Sequence, residues 1–170
     1  MRIRNLLPVI EGLLAIDNHQ FDFESVLELL MRKGVKFLVV GGVACALNGF
    51  IRATEDLDIL VEPSEANLNN LIHTLTGWGK GYASELSIED FPVSPGAVRV
   101  IEAFPLDIFT LLADKNYNDF LPSARKNDQG ILYLDPQSLI ETKRHTHREK
   151  DSLDILALKN ILKEGRNKKK

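Results

Sequence analysis

A single cysteine, Cys45, in 170 residues excludes an intramolecular disulfide framework and a zinc site built from cysteine alone. It lies in an apolar stretch, where it reads as a core thiol of a protein from a reducing compartment. Charge of one sign is scarce too. Twenty-four acidic against 21 basic residues leave a net charge of -3, which excludes a surface that grips nucleic acid wholesale by neutralising phosphates. No run approaches the roughly 20 apolar residues of a membrane span. Arg2 and Arg4 open the chain as a signal peptide would, but Pro8, Glu11 and Asp17 interrupt what would have to be an unbroken apolar segment. The expectation is a cytoplasmic protein with no membrane contact. Aromatic residues make up 7%, and Trp78 and the scattered phenylalanines read as packing rather than base-stacking platforms. Neither Gly-x-x-x-x-Gly-Lys nor Gly-x-Gly-x-x-Gly occurs, so the chain carries neither a P-loop nor a dinucleotide fingerprint.

What is present suits one substantial core, since 44% of the residues are hydrophobic. Apolar residues at helical spacing predict a helix over Phe23 to Arg32 that Gly34 stops. Val35 to Val40 is a short β-branched run that reads as a buried strand, followed by Gly41-Gly42, a short helix over Val43 to Leu47 and a stop at Asn48-Gly49. Leu57 to Val61 predicts a strand, and Ser64 with Asn67 to Leu75 a helix. Gly81 to Gly96 reads as loop with room for short strands, and Val98 to Ile101 and Leu106 to Leu111 as strands, with Pro105 marking an edge or a bend. A strand at Ile131 to Leu134 and helices over Pro136 to His145 and Ser152 to Leu162 complete the pattern.

Strands alternating with helices predict an α/β (α+β) fold, a small mixed sheet flanked by helices with a helical C-terminal extension. One domain is expected over about 1–164, its core at about 23–112 and the C-terminal strand and helices at about 113–164. Residues 165–170 read as a solvated basic tail.

Three weak signals carry chemistry. Asp56-Leu57-Asp58 opens a strand whose period of two puts both carboxylates on one face. Two like charges so close are most readily held together by a divalent cation, and a two-metal site needs such a pair plus a further carboxylate. Asp107 is that further acid, embedded in Phe104-Pro105-Leu106-Asp107-Ile108-Phe109, where an unpaired carboxylate is expensive to bury. Gly41-Gly42 joins strand to helix, where backbone N–H groups can approach a phosphate. Each has a bland reading: a solvated strand end, an acid at a wet strand terminus, a steric glycine turn.

Their order and spacing resemble the nucleotidyltransferase superfamily related to DNA polymerase β. The stretch runs from Val39-Val40-Gly41-Gly42-Val43 to Arg52-Ala53-Thr54-Glu55-Asp56-Leu57-Asp58-Ile59-Leu60, with Pro105-Leu106-Asp107-Ile108-Phe109 at the third-aspartate position. Within that superfamily the chain looks most like the compact bacterial group that includes abortive-infection toxins of toxin–antitoxin systems. The resemblance spans about 26–162. It implies Asp56, Asp58 and Asp107 as catalytic and metal-binding carboxylates holding two Mg²⁺ ions, or Mn²⁺ in their place. It further implies nucleotide binding by the Gly41 and Gly42 amides, Arg52, Thr54, Lys143 and Arg148. Gly42 stands where many members have a serine whose hydroxyl serves the γ-phosphate.

The activity so implied is transfer of NMP from an NTP to a hydroxyl on RNA such as tRNA, a protein or a small molecule, with release of pyrophosphate. An antitoxin protein is the partner expected of a toxin, and a homodimer that of an antibiotic-modifying enzyme lacking a second domain. The alternative is a catalytically silent nucleotide-binding or protein-interaction module of the same fold. Lys143, His147 and Asp151 fall at i, i+4 and i+8 and would form a solvated ladder if one helix continued through them. Asp151 and Asp154, near Arg148, read as pins for the last helix, and His145 and His147 as surface residues.

Overall fold

The computed structural model of the chain describes residues 22–144 and 148–167. The first helix, α1 (Phe23–Arg32), is capped by Asp22, whose carboxylate accepts the Ser25 N–H at 2.7 Å. It ends in a Schellman turn, with the N–H groups of Gly34 and Val35 donating to the carbonyls of Met31 and Leu30. The chain then enters β1 (Phe37–Val39), all three residues of which are buried. Helix α2 (Gly41–Leu47) follows at once and closes with a second Schellman turn at Gly49 and Phe50. Strand β2 (Leu57–Val61) and helix α3 (Glu65–Thr76), N-capped by Ser64, complete the first half.

The second half supplies β3 (Ala97–Ile101), β4 (Pro105–Phe109), the short α4 (Tyr117–Phe120), β5 (Arg125–Lys126), β6 (Leu132–Tyr133), α5 (Pro136–Lys143) and α6 (Glu149–Asn167). Together the strands form one six-stranded mixed sheet in the order β3-β4-β2-β1-β6-β5. Strands β1 and β2 run antiparallel, as do β3 and β4, while β2 lies parallel to β4 and β1 to β6. The predicted α/β class with a mixed sheet and a helical C-terminal end is what the chain adopts. A continuous buried cluster runs from Val26, Leu27 and Leu30 of α1 through the central strands to Leu139, Ile140 and Leu158 of the last two helices. No helix of the described residues is long and apolar enough to cross a membrane.

Several predicted elements shift. The second helix begins at Gly41, not Val43, so both glycines belong to its first turn. The 81–96 stretch forms two 3₁₀ turns, Tyr82–Glu85 and Ile88–Asp90, rather than short strands. Pro105 does not mark an edge, since β4 lies between β3 and β2; it follows the bend at 102–104 that joins β3 to β4 and occupies the first position of β4. The last helix starts at Glu149 and runs to Asn167, taking in residues assigned to the tail, whereas Lys168 to Lys170 lie outside the described residues, as do Arg2 to Asp17 and His145 to His147.

Asn67 of α3 clips together the chain before β1 and the chain after β2, at one end of that antiparallel pair. Its Nδ2 donates to the carbonyls of Lys36 and Glu62 at 3.0 and 2.8 Å, and its Oδ1 accepts the Lys36 N–H at 2.8 Å. Asn67 is buried, so its truncation removes three part-buried hydrogen bonds at once. Asn67→Ala is expected to lower unfolding free energy by about 2–4 kcal/mol in urea titrations. A loss within about 0.5 kcal/mol would show that the clip contributes nothing.

Candidate active site

The sheet register builds the site. Asp58 on β2 pairs with Asp107 on β4, and Asp107 pairs with Arg99 on β3. Directly paired residues point to one face, so Arg99, Asp107 and Asp58 form a row across three adjacent strands. Asp56 precedes β2 by one residue and, two positions from Asp58, joins the same face. One carboxylate oxygen from each of Asp56, Asp58 and Asp107 lies within 4.8 Å of the others. The structure therefore brings together the three acids expected from the sequence. Hard oxygen donors in this number suit Mg²⁺ or Mn²⁺, and the donor set fits such an ion.

The three acids differ in support. Thr54 Oγ1 lies 3.1 Å from Asp56 Oδ1 and 3.2 Å from the Asp56 carbonyl, and its proton serves one or the other. Asp107, buried, accepts from Arg99 on both oxygens at 2.6 Å. No donor among the described residues serves the half-buried Asp58 carboxylate. Burial first, then the charges of Asp56 and Asp107, push Asp58 up to a pKa of about 6.

The glycine turn makes this packing possible. Gly41 has φ +61°, and a Cβ there would collide with the Asp58 carboxylate. At Gly42 a Cβ would meet Thr54 Oγ1 at 2.7 Å and Arg52 Nη1 at 3.3 Å. The Thr54 hydroxyl thus crowds the space that a side chain at position 42 would take. Val40, the N-cap, offers no side-chain hydrogen bond, and Val40, Gly41 and Gly42 line an open cleft of about 160 Å³ together with the three aspartates.

The other cleft residues include five cations: Arg52, Arg99, Lys143, Arg148 and Lys150. Arg52 grips Asp154 through Nε at 2.7 Å and Nη2 at 2.9 Å. Lys143 Nζ lies 2.8 Å from Asp154 and 3.2 Å from Asp151, and Arg148 Nε donates to Asp151 at 2.8 Å. Burial works to raise the Asp154 pKa, but the bonds from Arg52 and Lys143 outweigh it and hold the group below the usual carboxylate range. Burial likewise works to lower Lys143, and its hydrogen bond to Asp154 leads the effects that bring it above its usual value.

Asp151 and Asp154 therefore pin α6 to α5 and to the loop carrying Arg52, as their placement in the sequence suggests. The alternative ladder of Lys143, His147 and Asp151 does not form, because Lys143 ends α5 while Asp151 belongs to α6. His147 lies outside the described residues. Cys45 is a core thiol that burial pushes up to about 12, far from a nucleophile.

Of the expected nucleotide-binding residues, Gly41, Gly42, Arg52, Lys143 and Arg148 line the cleft, while Thr54 sits behind it on Asp56. Sequence reasoning missed Arg99 and Lys150. An arginine between Val98 and Val100 is a charge in an apolar strand, but its pairing with Asp107 depends on the register of β3 against β4.

The sequence matches no family profile and no curated protein. Among solved structures, the chain is similar to an antigenic nucleotidyltransferase-like protein from Paracoccidioides brasiliensis, with 16% identity and a TM-score of 0.48. The match covers 91% of this chain and 75% of that one. A likeness so distant carries no argument, and what the cleft can do follows from its own side chains.

Asp58 provides a test in the metal-free protein. Its folded pKa of about 6 exceeds the unfolded value of 3.8, so the folded chain holds the proton more tightly. The resulting stability is complete below about pH 4 and is lost as pH rises through about 6. At pH 7 with chelator, Asp58→Asn is expected to exceed the parent by up to about 2–3 kcal/mol, a difference that vanishes below about pH 4. Denaturation curves at both pH values check this. A parent equal to the variant at pH 7 would contradict it.

Proposed function

We propose that the chain is a Mg²⁺-dependent nucleotidyltransferase that moves NMP from an NTP to an acceptor hydroxyl. The observation that carries this reading is the convergence of Asp56, Asp58 and Asp107, with Asp58 unserved by any described donor, in a cleft that five cations also line. Three carboxylates in that setting demand positive charge, and hard divalent ions supply it.

In the reaction an acceptor oxygen attacks the α-phosphorus, a P–O bond forms, the bond to the β-phosphate oxygen breaks, and pyrophosphate leaves. Asp56 and Asp58 would hold both ions, with Asp107 completing one of the two coordination sets. Bound there, the ions would lower the pKa of the attacking hydroxyl and offset charge on the phosphates. Asp107 would take the hydroxyl proton once an oxygen is released by Arg99. The uncapped first-turn amides at Gly41 and Gly42 suit the β- and γ-phosphates. Arg148, with its side chain 63% exposed though tied to Asp151, and exposed Lys150 would follow the departing pyrophosphate more readily than the less exposed Arg52 and Lys143. Thr54 acts by orienting Asp56.

The acceptor is RNA, a protein or a small molecule, and the sequence resemblance adds the role of a toxin with an antitoxin partner. A second reading is favoured by one observation. Arg99 neutralises Asp107 through a two-pronged contact, as a catalytically silent nucleotide-binding module could do without metal.

Incubation with Mg²⁺, each α-labelled NTP and an extract containing RNA and protein separates the readings. Wild type is expected to transfer label, and Asp56→Ala/Asp58→Ala to lose about 10³-fold or more of the rate. Nucleotide binding without transfer by wild type would favour the silent module, and absence of both would sink the site as drawn. Growth arrest on expression, abolished by the double substitution, is the outcome expected of a toxin.

A further inference from the structure

Arg99 stands apart from the other cleft cations. Arg52 and Lys143 are bound to buried Asp154, and Arg148 to buried Asp151, all carried by or next to the last helix. Arg99 instead touches the acidic triad itself. Its Nε and Nη2 donate to Asp107 Oδ1 and Oδ2 at 2.6 Å each, and Nη2 lies 3.8 Å from Asp56 Oδ2.

This contact competes with a cation. A guanidinium fork occupies lone pairs on both oxygens, the same electrons that a divalent ion coordinates. The Asp107 side chain is only 9% exposed, so few directions remain for a second partner. The Arg99 side chain is 50% exposed and belongs to β3, the edge strand of the sheet. It can swing into solvent without disturbing the core.

We propose that Arg99 is a positioning residue that holds Asp107 as a resident counter-charge in the metal-free protein and must release it when a divalent cation enters. The side chain thereby sets the threshold for cation binding. This rests on the reading of the triad as a divalent-cation site. With Arg99 engaged, one of three negative charges is offset and Asp107 is held in a defined rotamer. With Arg99 gone, the cation meets the full charge of the triad and no incumbent.

Mn²⁺ binding to the metal-free full chain, followed by the electron paramagnetic resonance of the free ion with no nucleotide present, tests this independently of turnover. Arg99→Gln is expected to bind Mn²⁺ about ten-fold tighter, the scale of removing a unit charge a few ångströms from a divalent ion at high dielectric. Arg99→Lys keeps the charge but loses the fork, and an increase of about two- to three-fold is expected. If Arg99→Gln does not fold, as judged by circular dichroism, the lysine variant carries the test in the same direction. In an Asp107→Asn background, Arg99→Gln should give no gain over Asp107→Asn alone, as expected if the arginine acts through that carboxylate. Binding detected in Arg99→Gln alone would also support the proposal. Unchanged or weaker binding in the arginine variants, with binding intact in the parent, would overturn the role of Arg99 and leave the triad as a cation site. Absence of Mn²⁺ binding in the parent and every variant would overturn both.

Discussion

Mutual repulsion among Asp56, Asp58 and Asp107 is the constraint around which this end of the molecule is arranged. Two of the three lie side by side on parallel strands, and their oxygens are close enough to share one ion. Such a cluster persists in a folded protein only if something of opposite charge is within reach. The structure offers two answers on the same face, a guanidinium on the neighbouring strand and space for a cation in the cleft. The glycine turn follows from the same crowding, since the Asp58 carboxylate lies where a side chain at position 41 would be.

Behind the cleft, a second set of charges does the opposite work. Asp151 and Asp154 are almost wholly buried, yet both are ion-paired, and their partners come from three separate parts of the chain. Burial makes loss of Asp154 costly, because both Arg52 and the buried Lys143 lose a counter-charge with it. The last helix is held by these contacts as well as by Leu158 in the core. The arrangement fixes the position of Arg52 and Lys143 at the cleft while limiting how freely either can turn to a ligand. Exposed Arg148 and the Arg99 side chain keep more freedom.

Much of this was legible in the residues. Within the Val35 to Val40 run, Phe37 to Val40 is buried throughout and shows as an apolar stretch because a central strand has no solvent side. Helix ends were readable at Gly34, Ser64 and Gly49, since capping is local chemistry between neighbours in sequence. The Asp56/Asp58 pair was visible because a strand places alternate residues on one face whatever lies beside it. Short elements such as α4 and β5 were not legible, their few residues carrying no periodicity. The 81–96 stretch formed 3₁₀ turns where the sequence left room for strands, since glycine and proline mark breaks without specifying what lies between them.

By itself, then, the sequence determined the α/β alternation, several of the helix ends, and the identity of the three acids. Tertiary structure alone decided their neighbours. Register between strands placed Arg99 opposite Asp107, and the break between α5 and α6 turned an apparent i+8 spacing into a buried contact between two helices. The physical reason is that local patterns depend on residues a few positions apart. The pairing of Arg52 with Asp154, 102 positions away, depends on how the whole core closes.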